Sequence, residues 1–205
     1  MIPEYWTQAK RALARRDPVL RDIIKSNPAV ALQRRGAPFF TLARSIVGQQ
    51  ISVKAAQSIW ERLAAAVPAM EPAHVLCLDA ATMRGCGLST RKAEYIADLA
   101  AKFADGTLHG PQWDDMTDEE IITELIRVRG IGRWTAEMFL IFNLQRPDVL
   151  PMDDIGLQRA IELHYFGGRK VSAKRMRAVA ETWAPWRSVA TWYLWRSLDP
   201  MPVEY

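Results

Sequence analysis

The sequence is poor in cysteine and histidine, and it has no long apolar run. Its two cysteines, Cys77 and Cys86, are too few for a four-thiolate zinc or iron–sulfur site. Its three histidines are scattered without the spacing of a metal site. The sequence contains no run of about 18 apolar residues, the length that a helix needs to cross a bilayer. Its first residues lack the basic, apolar and cleavage regions of a signal peptide. We therefore expect a reducing intracellular setting, cytoplasmic in a bacterium, with no membrane partner.

Charge and tryptophan content are the features of the composition that bear on function. A formal net charge of +4 permits nucleic-acid binding without requiring it. Eight tryptophans is a high number for 205 residues, and four of them stand between Trp183 and Trp195. Indole rings pack in cores, and they also stack on bases. We expect most of these rings in the core and treat any beside a cleft as candidate base contacts.

Apolar residues recur with helical spacing along nearly the whole chain, and strand alternation is scarce. N-caps are predicted at Ser52, at Ser89 or Thr90, and at Thr117, where a glutamate three residues later completes a capping box. The segment 105–116 has no helical pattern and is expected to be a surface loop. We predict an all-α fold with helices over residues 5–16, 18–25, 38–47, 53–66, 73–78, 79–84, 90–103, 118–128, 133–143, 154–165, 172–183 and 185–198.

The stretch Val128–Ala136 is typical of a tight hairpin between two helices. Gly130 and Gly132 flank Ile131. Glycine at both places permits a positive φ and the close approach of another backbone. The apolar Ile131 is expected to point inward and stabilise the turn.

The backbone amides from Gly130 to Thr135 are then expected to face outward at the start of the second helix. Amides at a helix N-terminus bind phosphate, and Arg129 and Arg133 add positive charge beside them. Contacts of this kind position a protein on DNA without reading its sequence. A bare Gly-x-Gly is equally typical of a plain helix–turn–helix corner, so these residues alone leave both interpretations open.

A carboxylate pair follows one helix later, at the end of Leu150–Asp154. An aspartate that follows a proline at a helix start is typical of an N-cap, and we expect Asp153 to fill that position. Asp154 would then be available for chemistry.

The string Gly130-Ile131-Gly132-Arg133-Trp134-Thr135-Ala136 resembles the helix–hairpin–helix motif of the base-excision DNA glycosylase superfamily. Its full length is similar to the branch named 3-methyladenine DNA glycosylase II, and the resemblance covers residues 39–198. It implies an all-α glycosylase fold in one domain, 1–205, with two lobes, roughly 45–145 and 1–44 with 146–205. A cleft between the lobes would have the hairpin and Asp154 at its mouth. Larger bacterial members carry an extra N-terminal sheet domain, and we interpret this chain as a compact form without it.

The resemblance assigns the catalytic role to Asp154. Family members have an essential aspartate in a loop after the hairpin, with an arginine five residues downstream, and Arg159 stands in that relation to Asp154. Breaking a base–sugar bond leaves positive charge on the sugar, which a buried carboxylate stabilises. An alkylated, cationic base leaves readily, so no strong general acid is required.

The resemblance also places Trp134 and Trp195 on a pocket for a base flipped out of the duplex. An indole face attracts a cationic base by about 0.5–2 kcal/mol. Met138 stands where larger bacterial members have a pocket tyrosine. Trp134 occupies the position at which bifunctional relatives carry the lysine that forms a Schiff base. We therefore expect water as the nucleophile and no β-lyase step.

Two further roles follow from the resemblance. Gln49 and Gln50 match the loop from which family members insert a wedge into the gap left by the flipped base, with Gln50 in place of an apolar residue. Hairpin carbonyls, here those of Val128 and Ile131, hold a monovalent cation that bridges to a phosphate. No other cofactor is implied.

The function implied is that of a monomeric, monofunctional glycosylase that hydrolyses alkylated purines of the 3-methyladenine and 7-methylguanine type from duplex DNA. The product is an abasic site in base-excision repair. One alternative is a non-catalytic helix–hairpin–helix DNA-binding module, which would need neither Asp154 nor a pocket. Another is a glycosylase for deaminated or oxidised bases.

Overall fold

The computed structural model describes residues 2–28, 31–34 and 36–198. Within these residues the chain forms α-helices, one 3-10 helix and no β-strand, so the predicted all-α class is confirmed. None of the described helices is both long and apolar enough to span a membrane. The α-helices are α1 Trp6–Arg16, α2 Pro18–Ser26, α3 Pro38–Gly48, α4 Val53–Ala65, α5 Pro72–Val75, α6 Ala80–Gly85, α7 Thr90–Ala104, α8 Asp118–Leu125, α9 Arg133–Phe142, α10 Ile155–Phe166, α11 Ala173–Glu181 and α12 Arg187–Leu198.

The chain divides into two compact units. The terminal unit joins the chain up to Arg34 to the chain from Leu140 onward, and the central unit begins after Arg34 and ends at Phe139. The lobes expected from the sequence, with boundaries near residues 45 and 146, would have cut α3 in two. Instead α3 packs on α4 and α7 and belongs as a whole to the central unit.

Local capping explains where several helices begin. Ser52 and Ser89 each accept a backbone N–H at 3.3 Å, from Ala55 and from Lys92. Thr117 forms the predicted capping box at the start of α8. Each of these bonds satisfies an amide that a helix cannot satisfy internally.

The tryptophans divide into core and partly exposed groups. Burial of most of them follows from the large apolar area of the indole ring. The buried rings are those of Trp6, Trp60, Trp113, Trp183 and Trp192, and the partly exposed ones are those of Trp134, Trp186 and Trp195.

The segment 105–116 is not the surface loop that the sequence predicted. It contains a 3-10 helix, Gly110–Asp115, and Trp113 within it is fully buried. The Trp113 ring packs edge-on against Phe103 and Phe139, with ring centroids 5.9 Å and 5.2 Å apart. A single large apolar side chain therefore draws a segment without helical periodicity into the core.

A buried carboxylate completes this packing. The indole N–H of Trp113 donates to Glu124 Oε2 at 2.8 Å, and the His109 ring contacts Oε1 of the same residue. Burial by itself would raise the pKa of Glu124, but these hydrogen bonds outweigh it and the pKa lies below its usual value. The carboxylate thus joins α8 to the 3-10 helix.

Candidate functional site

The predicted hairpin lies in the central unit between α8 and α9. The Ile131 amide donates to the Val128 carbonyl at 3.1 Å, which closes the turn. Val128 and Ile131 are 1% and 4% exposed. The prediction that the Ile131 side chain points inward is therefore confirmed. Burial of the Val128 and Ile131 side chains stabilises the turn.

The two glycines of the hairpin have different roles. Gly130 has a φ of +82°, and a Cβ there would lie 2.1 Å from the Tyr95 ring. Gly132 is outside the left-handed region, and a Cβ there would meet nothing within 4 Å. Of the two glycines, only Gly130 uses the positive φ that glycine permits, and there both the backbone and the Tyr95 ring exclude a side chain.

The start of α9 presents backbone amides. The first intrahelical bond runs from the Ala136 amide to the Gly132 carbonyl at 3.0 Å, and the amides of a helix's first turn have no acceptor within the helix. The Arg129 amide, one step earlier, donates to Asp98 Oδ2 at 2.8 Å. Thr135 is 6% exposed, so it offers little surface to a ligand outside the cavity described below.

The two arginines beside the hairpin stand next to carboxylates. Arg133 Nε donates to Glu137 Oε1 at 3.1 Å, and its terminal nitrogens pair with Glu119. The hydrogen bonds that the Arg133 guanidinium donates to Glu119 raise the pKa of Arg133. Arg129 lies 3.7 Å from Glu94 on an exposed surface. The positive charge predicted for this end of the hairpin is therefore partly balanced by neighbouring carboxylates.

A cavity of about 550 Å³ in the central unit brings together many of the residues that the sequence analysis identified. It adjoins the hairpin, the end of α3 and the start of α4. Its lining includes the aromatic side chain of Trp134 and the apolar side chain of Met138, which are typical of pockets that bind small molecules. The identified residues that line it are Gln49, Gln50, Gly130, Trp134, Thr135 and Met138.

The loop between α3 and α4 forms one edge of this cavity. Gln49 Nε2 donates to the Gly130 carbonyl at 2.8 Å, so this side chain binds the hairpin directly. Gln50 is exposed and has a φ of +58°, which few residues other than glycine adopt. The apolar side chains of Ile51 and Val53 follow it, 38% and 56% exposed. The loop therefore presents a polar tip beside apolar surface.

Sequence reasoning missed Lys92, which contacts this loop from α7. Its ammonium donates to the carbonyls of Val47 at 2.8 Å and Gln49 at 2.7 Å. A lysine in the first turn of an amphipathic helix carries no local signal of such a contact, because its partners lie more than forty residues earlier in the chain.

Asp154 is the N-cap of α10 in the terminal unit, and its carboxylate is held in place. Oδ1 accepts the Leu157 amide at 2.6 Å and the Trp195 indole N–H at 2.8 Å. The residue is 9% exposed. The expectation that Asp153 is the cap is wrong: Asp153 is exposed, and the cap bond goes to Asp154, three residues before Leu157. Capping and the candidate catalytic role thus belong to one residue.

Trp195 approaches Asp154 closely and is itself stacked. Its ring lies 5.8 Å from that of Phe142 at an interplanar angle of 14°. A Cβ on Gly156 would lie 3.1 Å from Asp154 Oδ1 and 3.3 Å from Trp195 Cδ1, so glycine leaves room for this contact. Phe142, which sequence reasoning did not identify, fixes the indole plane. Arg159 lies further along α10 and is exposed.

The carbonyls of Val128 and Ile131 fit the expected monovalent cation by donor chemistry. They are neutral oxygen donors on a tight turn, and such ligands suit hard cations rather than thiophilic metals. The Val128 carbonyl accepts the Ile131 amide and keeps a second lone pair. Elsewhere in the described chain, no group of three or more His, Cys, Asp or Glu side chains could hold a metal ion.

Comparison with known proteins gives consistent matches. Residues 43–185 match the family described as HhH-GPD superfamily base excision DNA repair protein. The Bacillus subtilis protein YfjP is 36% identical over 166 residues, which cover 77% of this chain and 58% of that protein. This chain therefore spans little more than half of that relative. The Schizosaccharomyces pombe DNA-3-methyladenine glycosylase 1 is 32% identical over 164 residues, covering 78% of this chain and 72% of the relative.

The chain is also similar to solved structures of 3-methyladenine DNA glycosylases. A Schizosaccharomyces pombe 3-methyladenine DNA glycosylase in complex with abasic DNA superposes with a TM-score of 0.81 at 28% identity, covering 97% of this chain and 98% of that one. A Bacillus halodurans DNA-3-methyladenine glycosidase superposes with a TM-score of 0.83 at 34% identity, covering 92% and 87%.

Proposed function

Because the chain belongs to the HhH-GPD superfamily of base excision DNA repair proteins, we propose that it is a monofunctional DNA glycosylase for alkylated purines. It acts as a monomer on duplex DNA inside the cell, releases bases of the 3-methyladenine and 7-methylguanine type, and leaves an abasic site. The observation that carries the proposal is the buried carboxylate of Asp154, oriented by the Trp195 indole at the start of α10.

Asp154 is proposed to stabilise the sugar as the base departs. The electrons of the base–sugar bond leave with the base, and positive charge develops at C1′ and the ring oxygen. A carboxylate already fixed by hydrogen bonds stabilises that charge with little reorganisation. Water then adds its oxygen to C1′ and loses a proton. Since an N-alkylated purine leaves as a neutral molecule, the reaction needs no second acid.

The base is proposed to be recognised by aromatic and apolar groups. In the central unit, Trp134 and Met138 line a cavity large enough for a purine, and in the terminal unit Trp195 presents its stacked indole. An indole face favours a cationic base over a neutral one by about 0.5–2 kcal/mol. This preference favours alkylated purines over normal ones by a factor of about 2–30, and the greater ease with which a cationic base leaves adds to it.

Two loops are proposed to hold the DNA. The amides at the start of α9 would bind a backbone phosphate, and the carbonyls of Val128 and Ile131 would hold a monovalent cation that adds positive charge there. Gln50, exposed at the tip of its loop, would enter the space left by the flipped base. Its amide can hydrogen-bond the orphaned partner base.

Release of bases from methylated DNA tests the proposal. We expect the protein to free 3-methyladenine and 7-methylguanine from dimethyl-sulfate-treated duplex DNA well above the spontaneous rate, as measured by chromatography of the released bases. Binding without release would favour the non-catalytic module. Release only from duplexes that contain hypoxanthine, uracil or 8-oxoguanine would favour the glycosylase for deaminated or oxidised bases.

The absence of a lyase step is a second expected result. Trp134 cannot form a Schiff base, and the amine of Lys92, which contacts the nearby loop from α7, is hydrogen-bonded to two carbonyls. Borohydride added during the reaction should therefore trap no protein–DNA adduct on a denaturing gel, although a bifunctional glycosylase run in parallel should give one. A trapped adduct from this protein would show that an amine takes part.

A further inference from the structure

The side chain of Lys92 hydrogen-bonds the loop that carries Gln49 and Gln50. The last carbonyls of a helix have no N–H partner within it. At the end of α3, the carbonyls of Val47 and of the C-cap residue Gln49 accept hydrogen bonds from the ammonium of Lys92. The two hydrogen bonds measure 2.8 Å and 2.7 Å. A cation at this end of a helix also interacts favourably with the helix dipole. The lysine is therefore a charged cap supplied by another helix.

Both ends of Lys92 are hydrogen-bonded. Its ammonium donates to the two carbonyls, and its backbone amide donates to Ser89 Oγ at the start of α7. Burial lowers the pKa of the amine. The carbonyls of Val47 and Gln49 replace hydrogen bonds to water that the ammonium loses on burial.

A second contact holds the other side of the loop. Gln49 Nε2 donates to the Gly130 carbonyl of the hairpin at 2.8 Å. Gln50, the next residue, keeps its left-handed backbone between this contact and the start of α4. A residue other than glycine remains in that conformation only where its surroundings determine it. Lys92 and Gln49 both form hydrogen bonds next to this residue.

We infer that Lys92 is a positioning residue, which holds the Gln49–Gln50 loop in the conformation that enters the gap left by a flipped base. The inference rests on the proposed function and adds to it a residue that does not touch the reacting atoms. If Lys92 has this role, its loss should affect some steps of the reaction and not others. Removing Lys92 should impair steps that need loop insertion into a duplex, and it should spare hydrolysis of a base that is already unpaired.

The test compares one lesion in two settings. Single-turnover excision of 7-methylguanine is measured in a duplex and in the same strand alone, for the wild type, Lys92→Met and Lys92→Arg. Loss of two charge-assisted hydrogen bonds should slow Lys92→Met about tenfold or more on the duplex, and no more than about twofold on the single strand. Lys92→Arg, which can still donate to both carbonyls, should recover most of the duplex rate.

A charge-matched control separates positioning from simple attraction to DNA. Lys25 is exposed on α2, and Lys25→Met removes the same charge without touching the loop. It should keep the wild-type ratio of duplex to single-strand rates. Equal losses on the two substrates for Lys92→Met, or failure of Lys92→Arg to recover the duplex rate, would overturn the inference.

A binding measurement keeps the inference testable without catalysis. 2-Aminopurine opposite an abasic analogue becomes more fluorescent when an inserted residue disturbs its stacking. The wild type and Lys92→Arg should give the full increase at saturating protein, and Lys92→Met a clearly smaller one. An unchanged increase would overturn the positioning role. If the wild type excises no base but these fluorescence differences appear, the proposed function fails while the inference stands. If Lys92→Met does not fold, Lys92→Gln replaces it.

Discussion

Replacing Asp154 with asparagine should slow base release by at least about 10³-fold, because the transition-state charge on the sugar loses its counter-charge. Asparagine has nearly the same shape and keeps an acceptor oxygen for the Leu157 amide and the Trp195 indole, which both donate to Oδ1. The cap of α10 should therefore persist. The rate is measured under single-turnover conditions on methylated duplex DNA.

The control for this prediction lies next to it in the chain. Asp153 is exposed and takes no part in the cap, so Asp153→Asn should release bases at the wild-type rate. The melting temperature of Asp154→Asn should lie within about 3 °C of that of the wild type, because the substitution removes a charge and keeps the shape of the side chain. Its affinity for abasic-analogue DNA should also be similar. Base release by Asp154→Asn at the wild-type rate would rule out the proposed mechanism.

Replacing Gly130 with alanine should lower the free energy of unfolding by about 3 kcal/mol. The new Cβ would lie 2.1 Å from the Tyr95 ring, in a backbone conformation with a φ of +82° that L side chains rarely adopt. For a chain of this size the melting temperature should fall by roughly 6–12 °C. Affinity for duplex DNA should fall as well, because the turn that presents the α9 amides must shift.

Gly132→Ala is the matched control for stability. A Cβ at Gly132 meets nothing within 4 Å and needs no positive φ, so its melting temperature should change little. A double variant, Gly130→Ala with Tyr95→Ala, removes the ring collision and leaves the backbone strain, and it therefore separates the two causes. Equal melting temperatures for Gly130→Ala and Gly132→Ala would contradict this account of the hairpin.

The sequence alone was sufficient for the helices and for the hairpin's position. Helical periodicity predicts α3, α7, α9 and α12 to within a few residues, and the caps at Ser52, Ser89 and Thr117 are confirmed. These features depend on partners three or four residues away, so a single stretch of chain contains all the information that they need.

Predictions that required knowledge of packing were less complete. The segment 105–116 lacked helical periodicity, yet Trp113 carries it into the core. The cap of α10 was assigned to Asp153, whereas the structure gives it to Asp154 and adds the indole bond from Trp195. Which of two adjacent carboxylates turns inward depends on a side chain about forty residues later.

Local patterns of residues were enough to predict that the protein is helical, that Gly130 lies in a tight turn, and that a carboxylate stands at the start of α10. Tertiary structure decided which oxygen Trp195 holds, which ring closes on Gly130, and which amine supports Gln49. These contacts join residues that are distant in the chain. Their geometry depends on how whole helices pack, and no local pattern of residues encodes it.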